Sequence, residues 1–197
     1  MKLNRTVLAI ALALGACASE PTSISYYMLT SPSSEPVTRQ AALPRPSLVI
    51  EEVELAAYLR QSGIALQTGS NKLQVSRQHL WAENLELAVP KLLLQELQRQ
   101  SDDFNFYIRN IDFVPQTDYR LRLHIDNLQA TEQGEVLSSG RYQLIATATP
   151  AASQTTDFYF TEDLLDDGYE HAVEKMRVLI QDIAKDVLAS ASVFVTQ

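Results

Sequence analysis

The sequence predicts an α+β fold, equally describable as an α/β sandwich: one mixed β-sheet with two amphipathic helices packed on one of its faces. Three observations lead there. Short runs rich in strand-forming residues recur along the chain. One central and one C-terminal stretch instead carry apolar residues at helical spacing. Gly-, Ser-, Asn- and Pro-bearing segments separate the runs. With 197 residues, 46% apolar and 20% charged, the chain is long and apolar enough for one ordinary domain with a real core, and its composition is not that of a disordered protein.

Lys2 and Arg5 form a positive region, and residues 7–13 (VLAIALA) form an apolar one. The uncharged stretch ends at Cys17, short of the roughly 20 residues a membrane-spanning helix needs. This is the pattern of an export signal. Leu14, Gly15, Ala16 and Cys17 close it in the manner of a bacterial lipobox, and Cys17 is the only cysteine in the chain. The small residues suit a narrow peptidase site, and the thiol is the nucleophile that becomes a thioether to diacylglycerol. Ala16-Cys17-Ala18 also satisfies the A-x-A rule of ordinary signal cleavage, which would release a chain starting at Ser19. The expected division is therefore residues 1–16 as signal peptide, 17–23 as lipidated tether and 24–197 as a single domain. No intramolecular disulfide is possible with one cysteine.

The formal charge is −8, and loss of Lys2 and Arg5 takes it to −10. Nucleic acid and anionic lipid headgroups are repelled by such a chain, and no basic run offsets this. Membrane attachment must then be hydrophobic. Each buried methylene contributes about 0.8 kcal/mol, so two or more acyl chains on Cys17 hold firmly where one is marginal.

Element by element, residues 24–29 (ISYYML) read as a strand, and residues 31–46, holding four of the eight prolines, as a long loop. Residues 47–54 form a strand centred on Leu48, Val49 and Ile50. Residues 63–76 form a hairpin turning at residues 69–72. From Leu85 to Gln100 the residues Leu85, Val89, Leu92, Leu93 and Leu97 make a helical stripe. Pro90 requires either a bend or a regular start near Ala88. Residues 104–109 and 119–128 follow as strands, the second with Leu121, Leu123 and Ile125 on one face. Residues 136–149 and 155–161 pair around residues 150–153. The last helix spans about 168–190, burying Val173, Met176, Ile180, Ile183 and Val187, with Asp167 and Glu170 as a capping box.

No catalytic motif emerges: there is no G-x-S-x-G, no phosphate loop and no H-E-x-x-H. His79, His124 and His171 lie far apart, and His124 falls opposite its strand's apolar face. Glu162, Asp163, Asp166 and Asp167 read as dipole-stabilising acids before a helix rather than as a calcium loop. No metal and no cofactor beyond the covalent lipid is expected, and no enzyme. Trp81, Tyr26, Tyr27 and Tyr58 are the aromatics that serve either as core anchors or as interface residues, with core favoured for Trp81.

Three stretches together resemble the PqiC/YmbA family of ABC-type transport auxiliary lipoproteins. They are residues 25–29 (SYYML); the series 53–59 (VELAAYL), 63–68 (GIALQT), 71–73 (NKL) and 79–85 (HLWAENL); and residues 167–169 (DGY). Asn84 departs from the family, which usually has proline there. The resemblance implies a lipoprotein anchored in the outer membrane and facing the periplasm. It would be a subunit of a transenvelope lipid-transport system that supports membrane integrity. Its implied partner is an MCE-domain, PqiB-like protein whose tube it docks, and a homo-oligomeric ring is implied as well. The alternative is a pilotin-like interaction or assembly lipoprotein of another envelope complex. A hydrolase with an unfamiliar site ranks third.

Overall fold

The computed structural model describes residues 23–30, 45–109, 111, 117–149 and 152–195. The lipobox, most of the expected proline-rich loop and the Pro150 turn tip lie outside these residues. Among the described residues eight strands and two long helices follow in the order β1 (Ser25–Tyr27), β2 (Ser47–Leu55), a 3-10 turn (Ala57–Arg60), β3 (Gly63–Gly69), β4 (Lys72–Trp81), α1 (Leu85–Gln100), β5 (Asn105–Ile108), β6 (Tyr119–Thr131), β7 (Glu135–Ala146), β8 (Ser153–Asp163) and α2 (Tyr169–Val195).

The sheet is organised around β6. One edge of β6 pairs antiparallel with β7, which pairs antiparallel with β8. Its other edge is shared by two strands in succession. β2 runs parallel to residues 119–125, and β3 runs parallel to Ala130 and Thr131. The 3-10 turn fills the gap where the chain leaves that edge after β2 and returns as β3, held by the Ala56 N–H donating to the Ile125 carbonyl at 3.0 Å. β5 extends the sheet beside β2, and β4 and β1 extend it beside β3. This is the mixed sheet the sequence predicts, with both helices on one face and packed on each other.

Two bulges keep the apolar face continuous. In β2 the inward residues are Leu48 and Ile50 before Glu51, and Val53 and Leu55 after it; the pairing with β6 skips Glu51. In β6 they are Leu121, Leu123 and Ile125 before Asp126, and Leu128 and Ala130 after it. One extra residue in each strand flips the parity and returns the apolar set to the core. Opposite the β6 bulge stands Gly140, where a Cβ would lie 2.0 Å from the His124 carbonyl oxygen.

Leu85, Ala88, Val89, Leu92, Leu93 and Leu97 of α1 are buried as the stripe requires. The helix starts at Leu85 with Pro90 inside it; its first turn is tightened by the Asn84 carbonyl, which accepts from both Leu87 N–H and Ala88 N–H. The buried stripe outweighs the one hydrogen bond that proline forgoes. α2 buries Val173, Met176, Leu179, Ile180, Ile183 and Val187 and is longer at its end than the sequence suggests. At its start Gly168, at φ 110°, takes the place expected of Asp167, and its carbonyl accepts from Ala172 N–H. The reversal out of β8 needs a left-handed residue there, which glycine supplies without strain. Glu162 and Asp163 accordingly end β8 rather than precede the helix in a loop. β1 is shorter than expected and β4 longer: β4 continues to Trp81, so the tryptophan closes a strand.

Candidate functional site

Of the expected site residues, Leu14, Gly15, Ala16 and Cys17 lie outside the described residues. The aromatics are separated by the fold into distinct roles. Trp81 is 7% exposed and joins the core, registered beside Tyr27 across the β1–β4 pair. Tyr27 turns toward the helices. Its hydroxyl is 2.8 Å from His79 Nδ1, and the His79 ring stacks on Tyr169 at a centroid separation of 3.8 Å. The N-terminal strand is thereby clasped to the start of α2. Tyr26, on the opposite side of the same strand, is 65% exposed.

Tyr58 lies apart from these three. It reaches from the 3-10 turn to the β6 bulge, where its hydroxyl is 2.6 Å from Gln129 Oε1 and within reach of the Asp126 carbonyl and Asn127 Oδ1. Gln129, itself buried, donates onward to Gln67 Oε1, and Asn127 donates to Ser139 Oγ. Burial pushes the Tyr58 phenol up to about 12, with the Asp126 charge adding to it against a lowering backbone hydrogen bond from Leu128. The phenol therefore stays a neutral donor that satisfies the groups the bulge exposes.

The second bulge places a carboxylate where three arginines meet. Glu51, 10% exposed at its side chain, lies 2.7 Å from Arg122 Nε, 3.4 Å from Arg120 Nη1 and 3.2 Å from Arg109 Nη2. Burial pushes its carboxyl up, but the Arg122 hydrogen bond and the three guanidinium charges outweigh that and hold it below the ordinary value. Arg120 and Arg122 alternate with the core leucines of β6, so a basic outer row is visible in the sequence. Glu51 as its partner is not, because only the parallel pairing of β2 with β6 joins them. Around this cluster the uncovered sheet face is polar, with Glu52, Glu54, His124, Arg141, Gln143 and Thr155 lining a shallow depression. His124 sits between two carboxylates, 3.1 Å from Glu54 and 3.0 Å from Asp126. His171 is less exposed than its place on a first helical turn suggests, 19% at the side chain, and faces Glu174 at 3.5 Å.

On the helical side Lys175 pairs with Glu162 at 2.9 Å, which raises the lysine. Burial, with the Glu162 charge behind it, raises Asp182. A cleft of about 320 Å³ opens between the ends of β3 and β6 and the start of α2, lined by Ile64, Leu66, Ala130, Leu164 and Tyr169 among others. Among the described residues no group of three or more His, Cys, Asp or Glu is placed to hold a metal ion, and no helix is long and apolar enough to cross a membrane.

Fold and surface together define an α+β domain with one helix-covered face and one open, charged face. The sequence model of the ABC-type transport auxiliary lipoprotein component family matches residues 27–188, and the chain belongs to that family. It is a family of transport auxiliaries rather than of known enzymes. The fold is shared with crystal structures of other proteins. One, of an uncharacterised protein, is 18% identical, with a TM-score of 0.69 and coverage of 86% of this chain and 99% of its own. Another, of a protein from Xanthomonas campestris, is 14% identical, with a TM-score of 0.64 and coverage of 88% of this chain and 98% of its own. No curated protein matches the sequence.

Proposed function

We propose that this chain is the outer-membrane-anchored, periplasm-facing lipoprotein of an MCE-type lipid-transport system. Cleavage before Cys17 and acylation there tether the domain, and the domain docks the end of an MCE-domain protein's tube as a ring of identical copies. It contributes contact and geometry, without a cofactor and without turnover. The observation that carries this reading is the family match itself, which begins at Tyr27, ten residues after a lipobox whose cysteine is the only one in the chain. Ala18 and Ser19 also lack the aspartate that retains many lipoproteins in the inner membrane. The open sheet face supports a protein partner, since Arg122, His124 and Glu54 keep part of their charged side chains exposed beside their ion-pair partners.

The test is capture of the lipidated protein from membranes in mild detergent, followed by identification of what accompanies it. An MCE-domain protein is the expected companion. Consistent recovery of secretin-type or other assembly components, with no MCE protein, would instead establish the pilotin-like alternative.

A further inference from the structure

The N-terminal edge of the sheet carries an apolar surface that the core does not use. Ile24, Tyr26 and Met28 alternate along β1 and its flanks and are 53%, 65% and 52% exposed. Alternation puts all three on one side of an extended chain, away from Tyr27, which is engaged by His79. At this edge a cleft is lined by both Tyr26 and Tyr27, together with Met28, Thr30, Glu170 and Arg177. Arg177 makes no ion pair among the described residues, and its Nε is buried without a hydrogen-bond partner. Arg177 shares this cleft with Glu170 and, without an ion pair of its own, can donate to an anionic oxygen from outside.

The covalent distance says what lies next to this edge. Cys17 is seven residue steps before Ile24, which is at most about 25 Å of chain. We propose that Ile24, Tyr26, Met28 and Arg177 form a membrane-contact surface that rests on the phospholipid bilayer holding the Cys17 lipid. The apolar side chains enter the boundary between headgroups and acyl chains, the position a tyrosine with a wet hydroxyl favours. The terminal nitrogens of the guanidinium donate to lipid phosphate oxygens. Contact of this kind fixes the orientation of the domain, where a lipid tether alone fixes only its distance. The proposal rests on acylation of Cys17.

The experiment uses the Tyr26→Trp protein with its native N-terminus, in vesicles of phosphatidylethanolamine and phosphatidylglycerol, with or without phosphatidylcholine brominated near the headgroup. Mass spectrometry of the N-terminal peptide accompanies it. With Cys17 acylated, the tryptophan at position 26 should blue-shift and lose at least half its emission to bromine. The unsubstituted protein, whose only tryptophan is the buried Trp81, should lose almost none. Adding Arg177→Gln should restore part of the emission. Unquenched emission from an acylated protein overturns the contact while leaving the anchor standing. A blue shift without quenching also overturns it, since a second copy then covers the edge. An unmodified Cys17 overturns both, and quenching unchanged by Arg177→Gln removes the guanidinium from the site.

Discussion

Glu51 concentrates the electrostatics of the open face in one side chain. Three arginines surround it, and it is the extra residue of a bulge, so its position depends on the sheet and the sheet's local charge depends on it. Because its folded-state value lies below the ordinary 4.5, the unfolded chain binds protons more readily there than the folded one does. The stabilisation is complete above the unfolded value and is lost as pH falls through the folded one. Glu51→Gln should therefore lower unfolding free energy by about 1–3 kcal/mol near neutrality. The gap to the unsubstituted protein should close as pH drops below about 4. Urea unfolding across that range measures both quantities; a gap that does not depend on pH would assign the effect to packing instead of charge.

At the scale of elements, β6 bears the largest share of the architecture, with β7 on one edge and β2 and β3 dividing the other. Its pairing with β7 requires the close approach at Gly140, where the obstructing atom would be a backbone carbonyl that cannot rotate away. Gly140→Ala should destabilise by about 1–3 kcal/mol or more, as overpacking against main chain does. Gly69→Ala is the control: its new Cβ would find Lys72 Cβ at an ordinary 3.5 Å, and its midpoint should barely move. Thermal or urea midpoints of the two variants decide the matter, and equal effects would mean the β6–β7 contact is not the cause. The helices show the same division between local signal and packing. Pro90 lies inside α1 because the buried face around it, not backbone propensity, sets where that helix runs.

For the whole molecule the question is how an acidic domain is kept at a membrane. Charge opposes attachment, and α2, the longer of the two described helices, spends its apolar stripe on the sheet. Acyl chains on Cys17 would supply the missing free energy, at about 0.8 kcal/mol per methylene buried. A Cys17→Ser chain should move from the membrane pellet to the soluble periplasmic fraction or stall with its signal attached. It should also fail to rescue a barrier defect that the unsubstituted chain corrects. Full membrane retention after correct processing would show that another device holds the protein.

Periodicity alone located both helices and the principal strands, because burying an apolar stripe on a sheet leaves a local spacing that needs no partner to be read. Composition and the N-terminal pattern likewise pointed to export and acylation, since signal recognition acts on linear sequence. The family resemblance rested on short linear stretches too, and the match over residues 27–188 agrees with it. Other features exist only in three dimensions. Leu128 breaks the alternation set by Ile125, yet where the extra residue bulges depends on the partner strand. The end of β4 at Trp81 follows from its pairing with β1 and β3 rather than from its own residues. Glu51 with its three arginines, the Tyr58 network and the exposed edge at Tyr26 join residues from distant parts of the chain, and strand pairing and packing alone chose which of them would meet.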